Sequence, residues 1–214
     1  KFYVYELGVY TDVTPLRSTV SLTDAIITVA GSQVFTVSHS AHGAITGDFV
    51  TLSGIVGSVG GIDAFYLNAE FQVTVIGDGA YTCACAQVAS ASSVGGGTFT
   101  AEYQVTTGTI LSEAGFGWGA GVWGNSRWGN SRGYKFLRLW SQVVYGQNLI
   151  IGPRGGQLYM VKPLDGGFGT TAFQRATALA DEVGADSVPL GCLTISFAPA
   201  ARILVAYGAN SYTG

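Results

Sequence analysis

An all-β fold is predicted for this chain by three observations. Thirty-two of its 214 residues are glycine, against five prolines and one methionine, a composition that makes tight turns and disfavours long helices. Between the glycines lie short runs rich in Val, Ile, Thr, Tyr and Phe, the strand-forming residues. Only 11% of residues are charged while 48% are hydrophobic, with a mean hydropathy of +0.35. That argues against disorder and for a surface largely covered by partners.

The elements follow in order. Phe2-Tyr3-Val4-Tyr5 reads as a strand, then a turn at Gly8, then Val9 to Leu16 ending in the extended Thr14-Pro15 step. Residues 1–31 are therefore expected to supply first propeller or platform strands. Residues 32–105 read as an inserted small β-barrel or sandwich. Its strands are Val34–Val37, Phe49–Leu52, Phe71–Val75, Tyr81–Cys85 and Thr98–Val105. A hairpin is expected at Gly77-Asp78-Gly79 and a glycine-rich loop from Gly54 to Gly61. The expected core of this unit is Val34, Val37, Phe49, Val50, Phe71, Val73, Val75 and Phe99.

Residues 106–133 form a Gly/Trp-rich stretch containing the tandem Trp123-Gly124-Asn125-Ser126-Arg127 and Trp128-Gly129-Asn130-Ser131-Arg132. A period of five fits neither helix nor strand, so a loop anchored by its rings is expected. Trp118, Trp123 and Trp128, with Arg127 and Arg132, are the candidate interface residues; an anchor within one chain is the competing reading. From residue 134 strands and glycine turns resume, as in propeller blades, with about two blades in residues 134–214. Such a chain cannot close a ring alone. Residues 171–183 are ambiguous: Thr171 and Gln174 fit a capping box, yet a strand fits equally.

Charge is divided unevenly along the chain. Residues 1–105 hold two basic and eight acidic side chains, and residues 106–214 eight basic and five acidic. That suggests two units with different neighbours rather than a dedicated nucleic-acid binder. No run approaches the ~18 apolar residues of a membrane span. The terminal residues, Lys1 and Gly214, read as the ends of a fragment.

No catalytic, cofactor or metal site is expected. Cys83 and Cys85, two apart on a strand, face the same way and lack a second pair for zinc. His39 and His42 flank a turn with no carboxylate or cysteine beside them, so solvated or backbone-bonded histidines are the better reading. Asp181 and Glu182 are adjacent and would diverge on a helix or a strand, unlike a catalytic pair. No Gly-x-Ser-x-Gly elbow is present, and Gly95-Gly96-Gly97 lacks the Gly-Lys-Ser/Thr of a phosphate loop. Arg127, Arg132 and Arg138 stacked on tryptophan account for the basic aromatic segment without nucleic-acid binding.

One resemblance emerges from particular residues. Arg138-Leu139-Trp140-Ser141-Gln142, Tyr145-Gly146-Gln147-Asn148-Leu149 and Pro153-Arg154-Gly155-Gly156-Gln157-Leu158-Tyr159 resemble the signature of tail nozzle (stabilization) proteins of short-tailed bacteriophages. Gly117 to Gly124 and Asp12-Val13-Thr14-Pro15-Leu16 are similar to segments of the same family. His42-Gly43, Gly47 to Gly54 and Leu67-Asn68 resemble a small β-barrel insert that phage tail proteins share, in fold alone, with a domain of ubiquitin-activating enzymes. The resemblance implies a structural, non-enzymatic virion protein, assembled in the host cytoplasm and located in the tail. Its implied partners are copies of itself in a ring, a hexamer by that likeness, together with the tail adaptor and, in some arrangements, tail fibres. Duplex DNA would pass through the lumen during ejection without sequence-specific binding. A host-receptor-binding tail fibre or lectin-like module is the alternative, favoured if residues 32–105 carry exposed aromatics in a groove.

Overall fold

The structure, a computed structural model, describes residues 1–108, 138–164, 173–210 and the backbone of 212–213. It is nearly all β, and its described sheets are antiparallel. Two compact units divide the chain: residues 14–106 form one, and residues 1–13 with 107–214 form the other. No helix among the described residues is long and apolar enough to cross a membrane.

The continuous unit is a two-sheet sandwich, with no closed barrel. One sheet runs in the order Thr74–Gly77, Ala80–Ala84, Val34–Ser38, Ile26–Thr28, Ser93–Gly95. The other runs Leu16–Thr23, Thr98–Gln104, Phe49–Ser53, Glu70–Gln72. Both contribute to one core, in which Ile26, Phe35, Val37, Tyr81 and Cys83 meet Val50, Leu52, Phe71, Phe99 and Tyr103. The expected boundary at residue 32 is corrected by pairing: Leu16–Thr23 lies along Thr98–Gln104, and Ile26–Thr28 along Val34–Ser38. Residues 14–31 thus belong to the sandwich. A strand pair whose partners are some eighty residues apart leaves no local signature.

The expected core is corrected at three positions. Val37, Val50, Phe71, Val73 and Phe99 are buried, whereas Val34 is 45% exposed, and Phe49 and Val75 are half-buried. The reason is parity. Side chains alternate along a strand, so Val37 pairs inward with Phe35 rather than Val34, and Val50 with Leu52 rather than Phe49. The expected strand 71–75 is also broken at Val73. There the chain leaves the four-stranded sheet and enters the five-stranded one, with Val73 buried at the corner. The Asp78-Gly79 hairpin is found where the sequence places it, with Gly77 opposite Ala80.

The discontinuous unit holds a sequential four-stranded meander, Trp140–Tyr145, Asn148–Pro153, Tyr159–Val161 and Thr177–Ala178. Beside it lie two hairpins, Tyr3–Glu6 with Val9–Asp12 and Thr194–Ala198 with Ile203–Tyr207. Val188–Pro189 pairs with Tyr212–Thr213. Ile150, Leu158, Cys192 and Ile195 make a buried cluster with Val143, Leu179, Leu204 and Ala206 packed on it. The ambiguous stretch resolves into the short strand Thr177–Ala178 and a 3-10 turn, Leu179–Asp181. Thr171, the proposed cap, lies outside the described residues. Gln174 instead donates its backbone N–H to the Lys162 carbonyl at 2.9 Å, extending the sheet edge.

Candidate functional site

In the discontinuous unit three exposed tyrosines stand out among the described residues. Tyr3–Glu6 and Val9–Asp12 form a two-stranded ribbon in which Tyr5 lies directly opposite Tyr10. Alternation puts Tyr3, Tyr5 and Tyr10 on one face. They are 50%, 60% and 71% exposed, and the Tyr5 and Tyr10 rings pack together with centroids 4.6 Å apart at 40°. Lys1 lies beside this face and reaches Asp12 at 2.8 Å, and Arg175 lies 3.7 Å from the same carboxylate. The ribbon tip combines two unfavourable features. Leu7 is 74% exposed and has φ +49, followed by Gly8 at +85. Positive φ costs a branched L-residue about 1 kcal/mol or more.

Two clefts flank the Gly146–Asn148 turn of the same unit. One, of about 200 Å³, is lined mainly by Val4, Val144, Leu149, Val161 and Phe173, with Glu6 at its edge. The other, broader and about 480 Å³, is formed by Tyr145, Phe197, Arg202 and the turn itself. Tyr145 and Phe197 meet edge to face at 5.1 Å, and the Tyr145 hydroxyl donates to the Arg202 carbonyl at 3.3 Å.

The sandwich contains a polar network that the sequence did not reveal. Tyr81 and Tyr103, both buried, have hydroxyls 3.0 Å apart, and Tyr103 Oη lies 2.7 Å from His39 Nδ1. Burial, then its hydrogen bond with Tyr103, raises the Tyr81 pKa far above the ordinary value. Tyr103 is also raised, by burial first. The three groups thus form one hydrogen-bonded chain from Tyr81 through Tyr103 to His39. Arg17 stacks over the Tyr103 ring at 5.6 Å and donates to the carbonyls of His42, at 2.8 Å, and Gly43. His42 is buried; its Nε2–H donates to the Gly77 carbonyl at 3.0 Å while Nδ1 accepts from Ala44 N–H at 3.0 Å. Each histidine is thus engaged in holding the 39–47 turn. Burial keeps both phenols protonated at neutral pH.

Desolvation, and then the charge of nearby His42, lowers the His39 pKa below its ordinary 6.5. The unfolded chain consequently binds the extra proton more readily below that value. Stability is then fully present above pH 6.5 and falls as pH drops towards the lower folded-state pKa. Urea titrations at pH 7.5 and 5.0 should show a lower midpoint in acid, and His39→Gln should flatten that difference. Tyr103→Phe, which removes both hydrogen bonds of that hydroxyl, should cost about 1–3 kcal/mol.

Other candidate residues are explained by the fold. Burial pushes the Cys83 thiol up to about 12, so it remains protonated at neutral pH; Cys85, just past the end of that strand, is buried in the same core. Glu182 pairs with Lys162 and accepts from Thr177, and these bonds lower its pKa. It tethers the 3-10 turn to the meander while Asp181 belongs to the turn itself. No group of three His, Cys, Asp or Glu side chains suited to a metal ion occurs among the described residues. Trp118, Trp123, Trp128, Arg127 and Arg132 all lie outside the described residues. The fourth tryptophan, Trp140, packs on Phe2 at 5.5 Å and donates to the Thr107 carbonyl at 3.0 Å. The tyrosine face went unnoticed in the sequence, although the alternation Tyr3-Val4-Tyr5-Glu6 before the Gly8 turn carries its signal.

No family model matches this chain, and no curated protein matches its sequence. Among solved structures it is similar to the phage phi92 endosialidase, with 14% identity and a TM-score of 0.34 over 85% of this chain and 26% of that one. The chain therefore spans about a quarter of that protein's length. At such a score the likeness transfers neither fold family nor activity.

Proposed function

We propose that this chain is a structural subunit of a bacteriophage tail, in the nozzle ring through which DNA leaves a short-tailed virion. The observation that carries this reading is where the nozzle-like residues fall. Trp140-Ser141-Gln142 opens the first strand of the meander, Gly146-Gln147 makes the first turn, and Arg154-Gly155-Gly156 the second. A sequential four-stranded antiparallel sheet is the repeating unit of a propeller. On this reading the hairpin Thr194–Ala198 with Ile203–Tyr207 would belong to a second blade. Completion of the ring would fall to chain or partners beyond it. The reading is non-enzymatic: Tyr81, Tyr103, His39, His42 and Glu182 are committed to hydrogen bonds within the fold.

A second reading, a host-binding module, is favoured by one observation on the sandwich. The short helix Ala64–Leu67 presents Phe65 at 78% and Tyr66 at 40% exposure, with rings edge to face at 5.2 Å. A sugar face could stack there, although both clefts described above lie in the other unit. The two readings separate in virions labelled with antibody to residues 14–106 and imaged by electron microscopy. Label encircling the distal end of the tail below the adaptor is expected. Label along fibres, with host polysaccharide binding abolished by Phe65→Ala, would replace the nozzle reading with the second.

A further inference from the structure

We infer that the Leu7 ribbon tip is a docking knob for a second copy of this chain, seated in the cleft formed by Tyr145, Phe197 and Arg202. The knob is exposed, apolar and strained at once: Leu7 is 74% exposed at φ +49, with Tyr5 and Tyr10 behind it. Strain and apolar exposure coinciding at one tip mark a place whose cost is offset on binding.

Area and charge identify the occupant. Tyr3, Tyr5 and Tyr10 on one face and Leu7 at the tip are 50–74% exposed and together present on the order of 400 Å² of apolar surface. That is about half of the roughly 800 Å² that one partner contributes to a standard interface. The cleft is shallow and open to solvent, and its walls, Tyr145 and Phe197, are aromatic. Glu6 adjoins the knob and Arg202 lines the cleft, and neither has an ion-pair partner among the described residues. An acid beside the knob and a base in the socket are complementary between two copies of one chain. A polysaccharide fits less well, because the Tyr5 and Tyr10 rings pack on each other at 40° instead of lying side by side as a flat platform. The choice of a like chain as neighbour rests on the ring reading above.

Charge exchange tests the contact. In sedimentation of the 214-residue chain, Glu6→Arg and Arg202→Glu should each weaken self-association at least tenfold. The doubly reversed chain, or an equimolar mixture of the two single variants, should recover it. Circular dichroism of each variant confirms that the fold is kept, and Leu7→Gly, which relieves the strain while removing the side chain, should weaken association without unfolding. Association that persists unchanged in both single variants, or that the double reversal does not recover, would overturn this contact while leaving the ring reading standing. A chain that stays monomeric throughout overturns the contact, and the virion labelling then decides the ring reading separately.

Discussion

Replacing Phe35 by alanine is expected to destabilise the sandwich by about 3–5 kcal/mol, the range for truncating a buried phenylalanine. Phe35 is 1% exposed and meets Phe71 edge to face, with ring centroids 5.1 Å apart. Truncation therefore removes transfer free energy, opens a cavity between the sheets and deletes an aromatic pair. Val34→Ala, one residue earlier but 45% exposed, should change stability by about 0.5 kcal/mol or less. The contrast measures strand register directly, because a slip of one residue would exchange the two results. Native-state hydrogen exchange at the amides of Val37, Leu52 and Ala101 is the readout. Protection there should fall roughly a thousandfold for Phe35→Ala and hardly at all for Val34→Ala. Equal effects would refute the register.

Gly60→Ala is expected to cost about 2–4 kcal/mol, from positive-φ strain plus overpacking. Ser58–Val59 and Ile62–Asp63 form a miniature hairpin whose two turn residues, Gly60 and Gly61, have φ +57 and +81. A methyl group on Gly60 would run into the Thr28 hydroxyl and the Ala91 carbonyl. Those two groups are hydrogen-bonded to each other at 3.1 Å, and the Ser90 and Ala91 N–H groups both donate to the Gly60 carbonyl. The turn thus sutures the 54–63 loop to the end of the five-stranded sheet. Gly57, at φ +82 with open space around it, serves as the control; alanine there should cost only the conformational part, about 1 kcal/mol. Urea midpoints for the two variants make the comparison, and equal losses would remove close packing from the explanation.

Much of the local structure was legible because it is written within a few residues. The Asp78-Gly79 hairpin, the meander from Trp140 to Val161 and the strand at Tyr3–Glu6 all join strands close in sequence, and glycine turns announce them. Burial of both Cys83 and Cys85 in one core likewise agrees with a period of two. The candidate sites were less legible. Leu7 looks like any leucine until its φ is known, and Arg202 gains meaning only beside Tyr145 and Phe197, some fifty residues earlier and five earlier respectively.

What the sequence determined by itself was therefore the β class, the position of most turns and the residues suited to a core. Tertiary structure decided which of those residues enter the core, where the inserted unit begins and which polar groups meet. Phe35 rather than Val34 turns inward because the opposing sheet supplies Phe71. Residues 14–31 join the sandwich because Thr98–Gln104 offers an edge. Tyr81, Tyr103, His39 and Arg17 become one network because two sheets and a turn bring them within hydrogen-bonding or stacking range. The physical reason is common to all three. Propensity and turn chemistry act over a few residues, whereas side-chain burial and long-range strand pairing depend on partners that only the folded chain brings together.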